Sequence, residues 1–106
     1  VQAVIKLPGI AGAVVASEDG LSVAAQVLPP LAGDKVAAFA PQLFQRTAQY
    51  ARDLGAGNLE GLTFTCNGAA WRVSKCGKVY LAVVSQPQRP LPLAELAQLE
   101  RELSKM

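Results

Sequence analysis

The chain has 106 residues, half of them hydrophobic and 17% charged, with ten basic side chains, eight acidic ones and no histidine. That balance excludes a disordered segment and describes one domain able to bury its own core. The net charge of +2 is scattered without any dense Lys/Arg cluster, so no nucleic-acid partner is expected, and no apolar run approaches the ~18 residues of a membrane span.

In chain order, Val1–Leu7 reads as the tail of a helix, ended by Pro8, which cannot continue it, and by Gly9 just beyond. Ala13-Val14-Val15-Ala16 has the composition of a strand buried on both faces. Asp19-Gly20 suits a tight turn, and Leu21–Val27 returns as a strand with one protected face. Leu28-Pro29-Pro30-Leu31-Ala32-Gly33 is a breaker-rich loop.

Asp34 offers an N-cap carboxylate to a long helix reaching about Leu54, stopped by Gly55 and Gly57. Val36, Phe39, Leu43, Thr47, Tyr50 and Leu54 recur at helical spacing and are expected to face the core. Pro41 interrupts this helix at a cost of about 3 kcal/mol unless the helix bends, and a continuous but kinked element is expected.

Leu59–Cys66 then leads into Asn67-Gly68, a strong two-residue hairpin signal, and Ala69–Cys76 returns. That register sets Trp71 opposite Phe64 as an aromatic cross-strand pair in the core. A turn at Gly77-Lys78 starts the nearly all-apolar strand Lys78–Gln86, which should lie centrally beside the first strand. Pro87, Pro90 and Pro92 mark a loop, and Leu93, Leu96, Leu99 and Leu103 outline a final helix. The order is α-β-β-α-β-β-β-α with the first helix truncated: an α/β sandwich of one antiparallel sheet with helices on both faces.

Enzyme chemistry is poorly supplied, and no cofactor is expected. Without histidine the commonest general base and metal ligand are missing. Cys66 and Cys76 match no zinc spacing and lie too far apart on the predicted ladder for a disulfide. Both are expected to be buried structural thiols in a reducing, cytoplasmic setting. Pro8-Gly9-Ile10-Ala11-Gly12 follows a helix and precedes a strand, the reverse of a phosphate-binding loop. No signal-peptide pattern opens the chain, and its start at Val1 without Met, inside a helix, is consistent with a single domain over 1–106 excised from a longer protein.

Partner signals are stronger. The charged fraction falls below the ~25% usual for a solvated domain, which favours a covered surface. On the long helix, Gln42, Gln45 and Gln49 with Arg46 and Arg52 form a polar side expected to bind a partner. A flanking strip of Pro41, Phe44 and Ala48 lies roughly 100° from the centre of the apolar stripe and suits a close helix–helix contact between two copies. Its other reading is a simple widening of the core-facing stripe. Thr63 and Thr65 lie on a strand with no proline and little charge, an unprotected sheet edge if it is one.

Leu7-Pro8-Gly9-Ile10-Ala11-Gly12-Ala13, Ser17-Glu18-Asp19-Gly20-Leu21 and the Val/Leu-rich strand before the last helix, in this order, resemble the roadblock / dynein light chain family. The resemblance covers essentially the whole chain. It implies a roadblock-like (profilin-like) five-stranded antiparallel sheet with the first and last strands central, the long helix on one face and the terminal helices on the other. It also implies a non-catalytic homodimer paired through the third strands, Thr63 and Thr65 included, and through the long helices. Its implied partner is a Ras-like small GTPase, docked on the long-helix platform and regulated by holding its switch loops rather than by a donated arginine. The alternative is a purely architectural dimerisation domain of a larger protein.

Overall fold

The computed structural model describes residues 2–27 and 31–105; Val1 and Leu28, Pro29 and Pro30 of the expected loop lie outside them. The elements are α1 (Gln2–Ile5), β1 (Ile10–Ser17), β2 (Ser22–Gln26), α2 (Gly33–Asp53), β3 (Leu62–Cys66), β4 (Ala69–Cys76), β5 (Val79–Ser85) and α3 (Leu93–Ser104). The strands form one antiparallel sheet in the order β2-β1-β5-β4-β3. The two most apolar strands, β1 and β5, are thus flanked on both sides, as their composition demands.

Residue alternation sends the two faces of this sheet to two cores. Ala13, Val15, Leu81, Val83 and Cys76 pack with Val4 of α1 and Leu96 of α3. Val14, Ala16, Val73, Tyr80 and Ala82 pack with Ala37, Ala40 and Phe44 of α2. Phe44 meets the Tyr80 ring edge-on at 5.6 Å, an arrangement that the ring quadrupoles favour.

Turn chemistry fixes the register. Asn67 and Gly68 both take positive φ (52° and 80°), the two-residue hairpin that β3 and β4 require, and Phe64 pairs with Trp71 as expected. Gly20 (φ 83°) lets the β1–β2 turn approach the α2 backbone at Ala37 and Ala38.

Four expectations are corrected. Asp34 is not the N-cap: Ala32 holds that position without a side-chain hydrogen bond, and Asp34 sits in the first turn, where its charge still complements the helix dipole. β2 has no well-protected face; of its residues only Ala24 is partly covered, because the strand is a sheet edge. Cys66 is exposed, since it lies at the end of the other edge strand, whereas Cys76 is buried.

The fourth correction is the largest, and it concerns the face of α2. The stripe expected in the core is largely outside: Phe39 is 65% exposed, Tyr50 64% and Leu54 83%. The buried residues are Ala37, Ala40, Pro41 and Phe44, with Ala48 packed beside them. The alanines let the helix backbone approach the sheet closely, which a row of Phe, Leu and Tyr could not. The helix runs unbroken through Pro41, whose ring is buried within that inner face.

Candidate partner-binding surface

The position of α2 leaves its layer incomplete. The helix packs over β1, β5 and β2, and only lightly on β4. The β3–β4 hairpin therefore has little above it on that face. There the Phe64 and Trp71 rings lie parallel, 6.0 Å between centroids and 2° between planes. Between that pair and the outer side of α2 runs an open apolar groove of about 380 Å³, lined by Val36, Phe39 and Leu43 on one wall and Phe64, Cys66 and Trp71 on the other.

Large apolar side chains left in water at a groove, beside a strand with one free edge, are the features by which interaction surfaces are recognised. β3 is that strand: it pairs only with β4, and Thr63 and Thr65 along it are exposed. They point to the α3 side of the sheet, while Leu62, Phe64 and Cys66 share the groove side.

The structure separates the residues expected at an interface between copies. Thr63 and Thr65 are exposed at the sheet edge. Pro41 and Phe44 are buried within the protomer, Phe44 at 6% exposure, and Ala48 packs on the same core; these three face the wrong way to meet a second copy. That strip is itself the core-facing side of α2 and not a widening of the expected stripe, which lies largely outside. Phe39, Leu43, Tyr50 and Leu54 are the exposed apolar row instead. Their spacing was legible in the sequence, but hydrophobicity alone assigned them inward.

On the other flank of α2, Gln42, Gln45, Arg46, Gln49 and Arg52 are all at least partly exposed. Several are engaged locally. Gln45 Nε2 donates to the Tyr80 hydroxyl at 3.2 Å and Gln42 Nε2 to the Ala38 carbonyl at 3.3 Å. Arg52 donates to Gln49 Oε1 at 2.8 Å, and Gln49 in turn to Asp53 Oδ1 at 2.9 Å. Arg46 forms no ion pair among the described residues.

Of the two thiols, Cys66 is exposed at the groove and Cys76 is buried on the opposite face of the sheet. No group of three His, Cys, Asp or Glu among the described residues could hold a metal ion. The Cys76 thiol has its pKa raised, chiefly by burial and further by the Glu100 carboxylate, against the lowering effects of its Ser74 contact and of Arg72. A thiol held protonated in a core is a poor nucleophile. No described helix is long and apolar enough to cross a membrane.

Comparison with known proteins agrees with this architecture. A family model described as the Roadblock/LC7 domain matches residues 1–85. A Roadblock/LC7 domain structure from Streptomyces avermitilis is 26% identical, with a TM-score of 0.76 over 96% of this chain and 85% of that one. The gliding protein MglB from Thermus thermophilus superposes with a TM-score of 0.81 at 17% identity, over 98% of this chain and 82% of its own. MglB of Myxococcus xanthus superposes at 0.76 with 14% identity, over 91% and 81%. No curated protein matches the sequence.

Proposed function

The chain belongs to the Roadblock/LC7 domain family, and from that premise we propose that it is a non-catalytic, homodimeric interaction module that binds or regulates a Ras-like small GTPase. The observation that carries the homodimer is a coincidence of place. An unpaired strand edge, a groove walled by aromatics and a row of exposed large apolar side chains all occur on one side of one protomer. A second copy related by a two-fold axis supplies the matching elements to all three at once, continuing the sheet through β3 and packing α2 against α2. Phe39, Leu43, Tyr50 and Leu54 take the role first expected of Pro41, Phe44 and Ala48, and Thr63 and Thr65 keep theirs. A structural neighbour described as MglB in a tetrameric arrangement agrees with a chain of this fold that self-associates.

GTPase binding rests on the family's implied partner and on the polar flank of α2. Gln42, Gln45, Gln49 and Arg52 stay outside the proposed dimer contact, with Arg46 at its margin beside Phe39 and Tyr50, and together they present donors and acceptors to a docked protein. Regulation then consists of holding the partner's switch loops in one of their two arrangements. A cytoplasmic site of action belongs to the same reading, since that is where a small GTPase partner would be met.

The test is direct. Light scattering across a tenfold dilution should return about twice the 11.1 kDa of one chain. Replacing Gln45 and Arg46 by alanine should weaken binding to a cognate GTPase and leave that mass unchanged; undiminished binding would refute this docking surface. One observation favours the architectural alternative: Gln42, Gln49 and Arg52 spend polar groups on contacts within α2. A stable dimer that binds no GTPase in either nucleotide state would establish that reading.

A further inference from the structure

The single salt bridge among the described residues joins α3 to the hairpin that carries the sheet edge. Arg72 of β4 donates from Nε to Glu100 Oε2 at 2.8 Å and from Nη2 to Glu100 Oε1 at 3.3 Å, a two-pronged pairing that fixes the plane of the guanidinium. The buried Ser74 hydroxyl donates to the same Oε2 at 2.9 Å. Both partners are largely sequestered, with side-chain exposures of 20% and 14%.

The third prong of Arg72 reaches the other way. Its Nη1 lies 3.4 Å from the Thr63 hydroxyl on β3, and the guanidinium fills the space that a side chain at residue 61 would need. The entry to the edge strand, Gly61 to Thr63, is thus roofed by one group whose orientation is set from α3. Without Glu100, no described residue on the α3 side fixes that plane, and the entry of β3 keeps only its ladder to β4 and the groove-side packing of Leu59 and Phe64. Glu100 also lies beyond the residues matched by the family model.

We propose that Glu100 is a positioning residue: by clamping Arg72 it orders the first half of β3, and so makes the affinity of the dimer depend on α3 being docked. This rests on the β3-paired dimer proposed above. Any partner that draws α3 from the sheet then loosens the dimer without touching its interface.

The experiment compares the full chain with Glu100→Gln, Glu100→Ala, Arg72→Ala and the charge swap Arg72→Glu/Glu100→Arg. Hydrogen exchange is followed segment by segment, and dimer dissociation by sedimentation. Expected are faster amide exchange at residues 61–65 in dilute monomeric protein, with β5 still protected, and a dimer about tenfold weaker in either alanine variant. Glu100→Gln should fall between, and the charge swap should recover part of the loss. Exchange at 61–65 that stays at the wild-type rate while α3 loosens would overturn the proposal. So would a dimer weakened only in proportion to overall unfolding, seen as lost β5 protection. A wild-type chain with no dimer at any concentration would remove the dimer reading alone, and the exchange result would still decide the positioning role.

Discussion

Two phenylalanines on one helix should behave in opposite ways. Phe44 is 6% exposed between α2 and the sheet, in edge-on contact with Tyr80, whereas Phe39 is 65% exposed at the groove. Truncating a buried phenylalanine to alanine costs about 3–5 kcal/mol, a large share of a total stability of roughly 5–15 kcal/mol. Phe44→Ala should therefore lower the denaturation midpoint sharply at every protein concentration. Phe39→Ala should shift monomer stability by only about 0.5 kcal/mol. Its effect belongs to the dimer. A phenylalanine buries about 200 Å² when covered, so roughly two-thirds of that at about 25 cal/mol/Å² is about 3 kcal/mol per protomer. That is an upper bound, and a third of the sum over two protomers, about 2 kcal/mol, weakens the dimer roughly thirtyfold. Urea melts followed by circular dichroism, with sedimentation over a hundredfold concentration range, separate the two effects. A Phe39→Asp chain that remains as dimeric as wild type, or a Phe44→Ala chain as stable as wild type, would refute the assignment of the two faces.

The other predictions concern the edge, the turn and the thiols. Thr65→Lys should leave the fold intact and weaken the dimer, because a lysine on an edge strand opposes pairing; unchanged mass on dilution would move the interface elsewhere. Gly68→Ala should cost about 1 kcal/mol or more in a thermal melt, since residue 68 takes φ 80° and a new methyl meets the Gln88 amide. Dilute monomeric protein given a thiol reagent should label Cys66 promptly and Cys76 only at the rate of opening. With the Cys76 pKa raised in the fold, its contribution to stability is intact below the ordinary thiol range and falls as pH rises through that range towards the raised value. Cys76→Ser should flatten that alkaline decline.

The sheet was legible because its signals are local. Asn67-Gly68 fixes one register, Asp19-Gly20 closes another, and the unbroken apolar run of β5 can only be central. The edge position of β3, with Thr63 and Thr65 along it, follows from the same pairings. What could not be read was which side of α2 turns inward. Both strips were visible, about 100° apart, and hydrophobicity ranks Phe39, Leu43 and Tyr50 above Ala37 and Ala40. That ranking presumes that a chain buries its most apolar residues within itself. In α2 the presumption fails, since Phe39 and Tyr50 stay outside and small residues win the inner face through closeness of approach. Cys66 was misjudged for a related reason, since composition does not reveal that a strand end lies at an edge. The Arg72–Glu100 pair joins residues remote in sequence, and no spacing rule connects them.

Trp71 is the only tryptophan in the chain, and it stands half-buried in the wall of the groove, stacked on Phe64. Indole emission moves to shorter wavelength when water is displaced from the ring, so the molecule carries its own optical reporter at the place where a second copy would close over it. Neither Tyr50 nor Tyr80 competes, because excitation at the long-wavelength edge of the indole band leaves a phenol ring unexcited. Occupancy of the groove can thus be followed as a spectral shift in the unlabelled native chain, at dilutions where scattering is too faint to weigh it.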